Sequence, residues 1–227
     1  MSKIKNNKNK ISGCEELNFD NLTKLENLIS YIDAKEFDDK CIEGILLKED
    51  ECSNGIFSHM NFNEVIFMKC NFQNCNFANA FFNNCTFLSC DFSGSSFDSG
   101  YFDKIKIEES KFSGCVFNDA KLNNVIIEES NFLYANFMET TLQDVSIDRS
   151  AFVESFFDEC KLKNLVLEGV DFTKAEFFKT KLSKIDFRNS TIDNIRFSDT
   201  HVEIVGMIVD TFQAASLAEC LGIKILN

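Results

Sequence analysis

A large apolar residue recurs at every fifth position over most of this 227-residue chain. All 32 positions from Phe57 to Phe212 whose numbers end in 2 or 7 are Phe, Leu, Ile, Val or Met. Neither an α-helix, with a period of 3.6 residues, nor a single strand, with a period of 2, produces that pattern. A backbone that turns a corner every five residues does, and four such sides close a coil of about 20 residues. The repeat therefore predicts an all-β coil around one continuous core.

A second inward position and a longer period accompany this repeat. The residue two positions before each large one is mostly small, as at Cys70, Ala80 and Ser95. Every fourth unit is often alike, and one column is Phe throughout: Phe57, Phe77, Phe97, Phe117, Phe137, Phe157, Phe177 and Phe197. Like rings can stack when successive coils lie about 4.8 Å apart. We therefore expect a quadrilateral β-helix of about nine coils and roughly 40 Å. The chain contains no Pro, which could not donate to its backbone ladder.

The N-terminal end of such a coil leaves an unpaired edge that must be covered. Apolar residues within 21–33 have helical spacing, and Asp20 is a plausible N-cap, so a capping helix is expected there. Because Leu22 and Ile32 also fall in the five-residue register, an additional coil is the alternative. Residues 1–12 are rich in Lys and Asn and are expected to be disordered.

The pattern changes at the C-terminal end. Apolar residues from Ala214 to Leu221 have helical spacing, Gly222 is placed to end that helix, and 223–226 is typical of a short strand. So short an apolar segment has little of its own chain to pack on, which favours a C2 homodimer. The predicted interface comprises Phe212, Ala214, Leu217, Ala218, Leu221, Ile223 and Ile225. The expected organisation is a tail and capping helix at 1–35, a β-helix at 36–212 and a dimerisation segment at 213–227.

The formal net charge is −13. An acidic body argues against direct binding to nucleic acid, which needs a basic footprint. It suits solvent, or a partner that has a basic groove. The first residues are polar, and no apolar run reaches the roughly 18 residues of a membrane span. A cytoplasmic protein with no membrane partner is therefore expected.

Acidic residues also recur once per coil and should form columns along the rod. The acidic ladder comprises Glu108, Glu109, Glu128, Glu129, Asp148 and Glu168. The second strip, two sides away, comprises Asp98, Asp119, Glu139, Asp158, Glu159 and Asp199. Like charges one coil apart repel by about 1 kcal/mol even in water, so stability alone does not favour the ladder. One interpretation is a surface for a basic DNA-binding groove. The alternative is a solubilising face, with Lys121, Lys161 and Lys181 balancing another side.

The chain has ten Cys and two His. Seven Cys fall at the small inward position, where thiols behave as small apolar groups. His59 and His201 lie about seven coils apart and cannot share a site. Without a CxxC motif, a phosphate-binding loop or a nucleophile elbow, we expect no metal, no cofactor and no catalysis. A Cys-based redox or metal module is the alternative, and it would require bound metal.

The five-residue pattern resembles the pentapeptide-repeat family, whose motif is written A(D/N)LXX. The tail resembles that of the Qnr/MfpA-type quinolone-resistance DNA-mimic proteins, which carry a D-x-Y-Q-A-S-L-L-x-x-x-L-G-I-x-V run. The matching residues are Asp210, Gln213, Ala214, Leu217, Leu221, Gly222 and Ile223, with Phe212 in place of Tyr.

The resemblance implies a right-handed quadrilateral β-helix and a cytoplasmic homodimer. It also implies a type II DNA topoisomerase as partner, either DNA gyrase or topoisomerase IV. The implied mechanism is mimicry, in which an acidic rod about as wide as duplex DNA occupies the enzyme's DNA-binding saddle and confers quinolone resistance. Many Qnr proteins interrupt the repeat with two loops; this sequence shows no interruption, like the MfpA type. A non-catalytic rigid scaffold or adaptor for another protein is the alternative function.

Overall fold

The computed structural model describes residues 22–34 and 40–226. The predictions for the segment 1–12 and for an N-cap at Asp20 lie outside these residues. In chain order the elements are β1 (Thr23–Leu25), α1 (Leu28–Ala34), β2 (Cys41–Lys48), β3 (Asn61–Met68), β4 (Phe81–Asn83), β5 (Thr86–Leu88), β6 (Tyr101–Glu108), β7 (Lys121–Glu128), β8 (Thr141–Asp148), β9 (Lys161–Glu168) and α2 (Thr211–Cys220). The strands belong to one right-handed quadrilateral β-helix of about seven turns, which is the predicted fold class. Nine coils were expected, and the difference arises because the first and last coils are irregular.

Each regular turn has four five-residue sides and pairs in parallel with the next turn. Tyr101 pairs with Lys121, which pairs in turn with Thr141. Corners recur at every fifth position, at residues whose numbers end in 4 or 9, and they adopt a left-handed backbone conformation. Asn74 and Asn79, for example, have φ of 55° and 58°. Asn and Asp tolerate this conformation better than most residues. The left-handed corners let the chain change direction while the backbone hydrogen bonds between coils continue.

Stacked Phe rings fill the interior. In the column from Phe57 to Phe177, the centroids of successive rings lie 4.9 to 5.2 Å apart. Neighbouring columns meet edge to face, as Phe97 meets Phe102 at 5.8 Å. Such pairs contribute about 0.5–1.5 kcal/mol each beyond the burial of their area. The stack stops at Phe177, because Phe197 is only half-buried and contacts His201 edge-on instead.

The small inward residues are hydrogen-bond donors as well as fillers. The hydroxyl of Ser95 donates to the carbonyl of Phe72 at 2.7 Å, and that of Thr140 to the carbonyl of Phe117 at 2.7 Å. The thiols repeat this geometry, since Cys115 Sγ donates to the carbonyl of Phe92 at 3.0 Å. A donor here satisfies a buried backbone acceptor. This contact explains why the position is often Ser, Thr or Cys rather than Ala.

The N-terminal cap combines the two predicted alternatives. Residues Thr23–Leu25 form β1, which pairs with Ile45–Leu47 of β2, and the helix begins only at Leu28. The helix prediction is therefore wrong for 22–27. A strand forms there because it gives hydrogen-bond partners to backbone groups of β2 that would otherwise be unpaired. Leu28 is buried, and its backbone N–H donates to the Asp50 carboxylate at 2.9 Å.

The sheet ends at β9, although the coil continues beyond it. β9 pairs with β8 alone. The following segment, 181–188, makes its backbone bonds to a later part of the chain. Leu182 N–H donates to Glu203 O and Phe187 N–H donates to Ile208 O, both at 2.9 Å. The coil therefore has an open strand edge at β9, which the uninterrupted five-residue pattern does not reveal.

The five-residue register also fails after Phe197. Val202 and Phe212, both predicted to point inward, are 55% and 86% exposed, whereas Glu203 is 1% exposed. Asp186 forms its bridge with Ile208 instead of Gly206, the residue that the regular register would give. The prediction of regular coil to residue 212 is thus wrong. No further coil follows this turn in the described chain. Its residues therefore have no next coil with which they must pair, and they can leave the regular register.

Helix α2 closes the C-terminal end. Asp210 caps it: its carboxylate accepts from Gln213 N–H at 2.8 Å, while the Gln213 side chain accepts from Asp210 N–H. Gln213 Nε2 also donates to the carbonyls of Phe187 and Ser190 at 2.8 and 2.7 Å, which anchors the helix to the last turn. Gly222, with φ of 79°, ends the helix as predicted.

The predicted strand after α2 is absent in the described chain. Ile223 N–H bonds back to Ala218 O, and 223–226 are exposed and irregular. A strand needs a neighbour to pair with, and no strand of the described chain pairs with this segment. Neither α1 nor α2 has the length and apolar character needed to cross a bilayer.

Replacing Glu203 with Ala tests the closure of the last turn. The Glu203 carboxylate accepts from Lys179 N–H at 2.8 Å and from the Ser198 hydroxyl at 2.9 Å. Burial raises the pKa of Glu203, but the hydrogen bonds it accepts lower it more, so the net pKa lies below the ordinary value. Glu203→Ala should cost about 1–3 kcal/mol in urea unfolding at pH 7.

Because the pKa of Glu203 is lowered in the folded state, its contribution is complete above the unfolded pKa and lost as pH falls. The difference between Glu203→Ala and the parent should therefore shrink between about pH 5 and pH 3. Glu219→Ala, at an exposed position of α2, is the control and should have little effect. A Glu203→Ala protein as stable as the parent at pH 7 would refute this role.

Alkylation tests whether the inward thiols are inert. Burial raises the pKa of Cys75, Cys85, Cys115 and Cys160 to about 12. At pH 8 only about one such thiol in 10⁴ is a thiolate, which is the reactive form. Cys220 is exposed. Iodoacetamide should therefore label Cys220 in the native protein and the other four only after unfolding, as measured by peptide mass mapping. Labelling of any of the four at the rate of Cys220 would contradict the packed core.

Candidate protein-binding surface

The pairing register builds straight columns of charge on the outside of the rod. Glu108, Glu128, Asp148 and Glu168 are the last residues of β6 to β9, and each is the register partner of the next. Their side chains point outward because inward positions alternate with outward ones along each strand. These four members of the acidic ladder therefore form one column, and the other two, Glu109 and Glu129, are corner residues in the column beside it.

Cations within the ladder neutralise much of its charge. Lys106 Nζ lies 2.6 Å from Glu108 and 3.6 Å from Glu128. The hydrogen bond to Glu108 is the main reason that the pKa of Lys106 is raised. Arg149 bridges Asp148 at 2.6 Å and Glu129 at 2.7 Å. Repulsion along the ladder is thus smaller than the acids alone would give.

The remaining ladder carboxylates have neutral donors. The Ser89 hydroxyl donates to Glu109 at 3.0 Å, and Asn189 Nδ2 donates to Glu168 at 3.1 Å. Sequence reasoning considered only the acids and missed all of these partners. The signal was available: Arg149 lies one coil after Glu129, and Lys106 precedes Glu108 by two on the same outward face.

The second strip consists of two neighbouring columns. Asp119, Glu139 and Glu159 are corner residues of three successive turns and form one of them. Lys179 follows in the same column and pairs with Glu159 at 2.6 Å, which separates Asp199 from the other acids. The second column contains Asp98 and Asp158, with Asn118 and Met138 on the turns between them. The structure therefore brings together most of the strip but not all of it.

Asp158 lies in an unusual environment for a carboxylate. Burial raises its pKa, while the hydrogen bond from Phe178 N–H at 3.1 Å opposes the rise and the nearby Glu176 and Glu159 add to it. No Lys or Arg occurs on this side of the rod in any turn from Ile56 to Cys160. This side is therefore less compensated than the ladder.

Charge is also divided along the axis. Residues 41–160 include 7 basic and 19 acidic residues, whereas 161–200 include 8 basic and 6 acidic residues. The negative potential belongs to the first six turns, and the C-terminal turns are slightly positive. A basic groove would therefore be attracted to these six turns and not to the C-terminal end of the rod.

The predicted dimer residues divide between two environments. Leu217 packs against the core of its own chain, and Ala218 is half-buried. The others are exposed: Phe212, Ala214, Leu221, Ile223 and Ile225. Leu221, Ile223 and Ile225 expose 40%, 54% and 45% of their surfaces. These three exposed apolar side chains at the end of α2 and just after it are called the C-terminal patch.

Among the described residues, no group of three or more His, Cys, Asp or Glu side chains could hold a metal ion. The thiols of Cys70 and Cys90 lie on successive turns, but each donates to backbone carbonyls at 3.3 to 3.5 Å. The packed Phe interior provides the main core. The features that distinguish this surface are its charge and the C-terminal apolar patch.

Comparison with known proteins agrees with the five-residue register. Two family models match, one described as a pentapeptide repeat region at residues 80–157 and one as pentapeptide repeats at 52–84 and 155–194. Together they extend from residue 52 to residue 194 without a gap. No curated protein sequence matches the chain.

Solved structures were also compared with this chain. A trypsin-treated variant of QnrB1, described as a plasmid-mediated fluoroquinolone resistance protein, is 21% identical with a TM-score of 0.52, covering 90% of this chain and 98% of that one. HetL from the cyanobacterium Nostoc sp. strain PCC 7120, described as involved in heterocyst differentiation regulation, is 11% identical with a TM-score of 0.34, covering 82% and 95%. The matching repeat models, the four-sided turns and the fold shared with QnrB1 lead to one conclusion: the chain belongs to the pentapeptide-repeat family.

Proposed function

We propose that this protein binds a type II DNA topoisomerase, DNA gyrase or topoisomerase IV, by presenting an acidic rod to the enzyme's DNA-binding groove. The observation that carries the proposal is the concentration of 19 acidic residues in the six turns of 41–160, at the regular spacing of the coil. A groove that binds DNA phosphates is lined with Lys and Arg and would attract such a surface. The tail resemblance to Qnr/MfpA-type proteins supports this choice of partner. The protein would act without catalysis and reduce quinolone sensitivity.

The side of the second strip is the better candidate for the contact. Lys106 and Arg149 already pair with four of the six ladder acids, so a partner would have to compete with those cations. No ion pair occurs at Asp119 or Glu139 in the described structure. Exposed Met138, at 39%, lies beside Glu139 and offers apolar contact at the same place. Buried apolar anchors surrounded by charge are typical of protein interfaces.

A passive scaffold is the second candidate function. Tyr134 and Val166 are 53% and 45% exposed on other sides of the rod. DNA mimicry does not explain exposed apolar side chains at these positions, whereas contact with another protein would. Recovery of a different partner, with no topoisomerase, in a pull-down from cell extract would favour the scaffold.

Supercoiling by purified gyrase tests the proposed function. Micromolar protein should inhibit the reaction, or rescue it from a fluoroquinolone. Asp119→Lys with Glu139→Lys should weaken the effect about tenfold or more, and Glu108→Lys with Glu128→Lys should weaken it less. Glu26→Lys with Asp193→Lys reverses the same number of charges at exposed positions outside both 41–160 and 213–227, and it is the matched control. No effect of the parent protein in either assay would reject the proposal.

We also propose that the active species is a homodimer joined through the C-terminal patch. Ile223→Asp with Ile225→Asp should give a monomer by light scattering, because the charges would be buried in the interface. These positions are preferred to Leu217, whose substitution would disturb its own core. Ile56→Asp, at a position 77% exposed on the rod, should leave the dimer intact. A monomeric parent, or a dimer that survives the double change, would refute this interface.

A further inference from the structure

One side of the coil is open where β9 meets the next turn. β9 pairs with β8 on one edge and with no strand of the described chain on the other. Its inward residues are less covered than their equivalents elsewhere: Leu162 and Leu165 are half-buried, while Leu142 and Val145 one turn earlier are 2% and 0% exposed. Two independent observations, hydrogen bonding and exposure, thus locate the same opening.

Lysines line both sides of this opening. Lys161 and Lys163 project from β9, and Lys181 and Lys184 project from the turn that follows. All four are exposed, and in the described chain none of them lies within ion-pair distance of a carboxylate. The neighbouring Asp186 is already occupied, since it holds Arg188 at 2.6 Å. This part of the surface is therefore locally basic in an acidic protein.

Solubility alone does not explain the arrangement. Lysines on an edge strand do discourage pairing with another copy of the same edge. However, edge strands that are protected against pairing are usually short, bulged or covered. β9 has eight residues, and it pairs with β8 from its first residue to its last. Val166 is also 45% exposed on this strand. The edge therefore has no strand partner in the described chain, and its apolar side chains are partly exposed.

We propose that the β9 edge binds an extended segment of a partner protein in which acidic and apolar residues alternate. Such a segment would add a strand to β9, and its backbone would supply the missing hydrogen bonds. Alternate side chains of a strand point to opposite faces. The apolar ones would cover Leu162 and Leu165, and the acidic ones would meet Lys161, Lys163 and the lysines of the next turn.

The chemistry favours a peptide over nucleic acid. Phosphates would use the lysines but would leave the strand edge and the two Leu side chains uncovered. The outward-facing aromatic rings on this side, Phe81 and Tyr101, already stack on each other at 4.9 Å, so they offer no free platform for bases. This site is separate from the acidic turns and does not depend on the proposed function.

Hydrogen exchange of the full chain gives the first test. The β9 amides that point away from β8 should exchange at least tenfold faster than those of β8 in the free protein, because they have no backbone acceptor. A seven-residue peptide of alternating Glu and Val should slow that exchange. Equal exchange in β8 and β9 without peptide would show that the edge is closed, and would overturn the proposal.

Fluorescence anisotropy with the same labelled peptide gives the second test. Lys161→Gln with Lys163→Gln should weaken binding about tenfold. Lys174→Gln with Lys179→Gln removes the same charge from lysines that pair with Glu154 and Glu159, and it should change binding less than twofold. A peptide with Pro at its central position has the same charge but cannot complete a strand, and it should bind at least tenfold more weakly. Strand addition would be refuted if the Pro peptide bound as tightly as the parent peptide, or if both double variants lost the same affinity. It would also be refuted if a short DNA duplex displaced the peptide without slowing hydrogen exchange in β9.

Discussion

Parallel backbone hydrogen bonding between successive turns is the constraint on which the rest of this structure depends. It requires each turn to have the same perimeter, and the regular turns meet that requirement with four sides of equal length and a left-handed residue at each corner. It also places like positions above one another. The Phe stacks inside and the charge columns outside are two consequences of this one register.

The small inward position shows how backbone and side chains cooperate. Ser95 and Thr140 fill space beside a Phe and also satisfy a carbonyl of the preceding turn. Thiols take the same role, as at Cys115, which accounts for the Cys residues at this position. Hydrogen-bonding capacity and volume are therefore selected together at this position.

The inward residues and the charge columns could be predicted from the sequence because they follow from a short, strictly repeated period. The repeat could not predict that Lys106 and Arg149 form ion pairs with acids of the ladder. Those pairs depend on how far the long side chains reach between turns. The ends were predicted least well. At Glu203 a side chain replaces a backbone acceptor, and at β9 the pairing stops while the apolar period continues. Both departures depend on what lies next along the rod, which a local pattern does not record.

The uniform height of the turns has a consequence for how such a protein can change. Loss or gain of one whole turn within 41–160 would alter the length of the acidic section by one step of about 4.8 Å while leaving every remaining contact type intact. Length and total charge can then vary in whole-turn increments, without repacking of the interior. The boundary between acidic and basic turns lies near residue 160. Loss or gain of a turn would move this boundary along the rod by one turn.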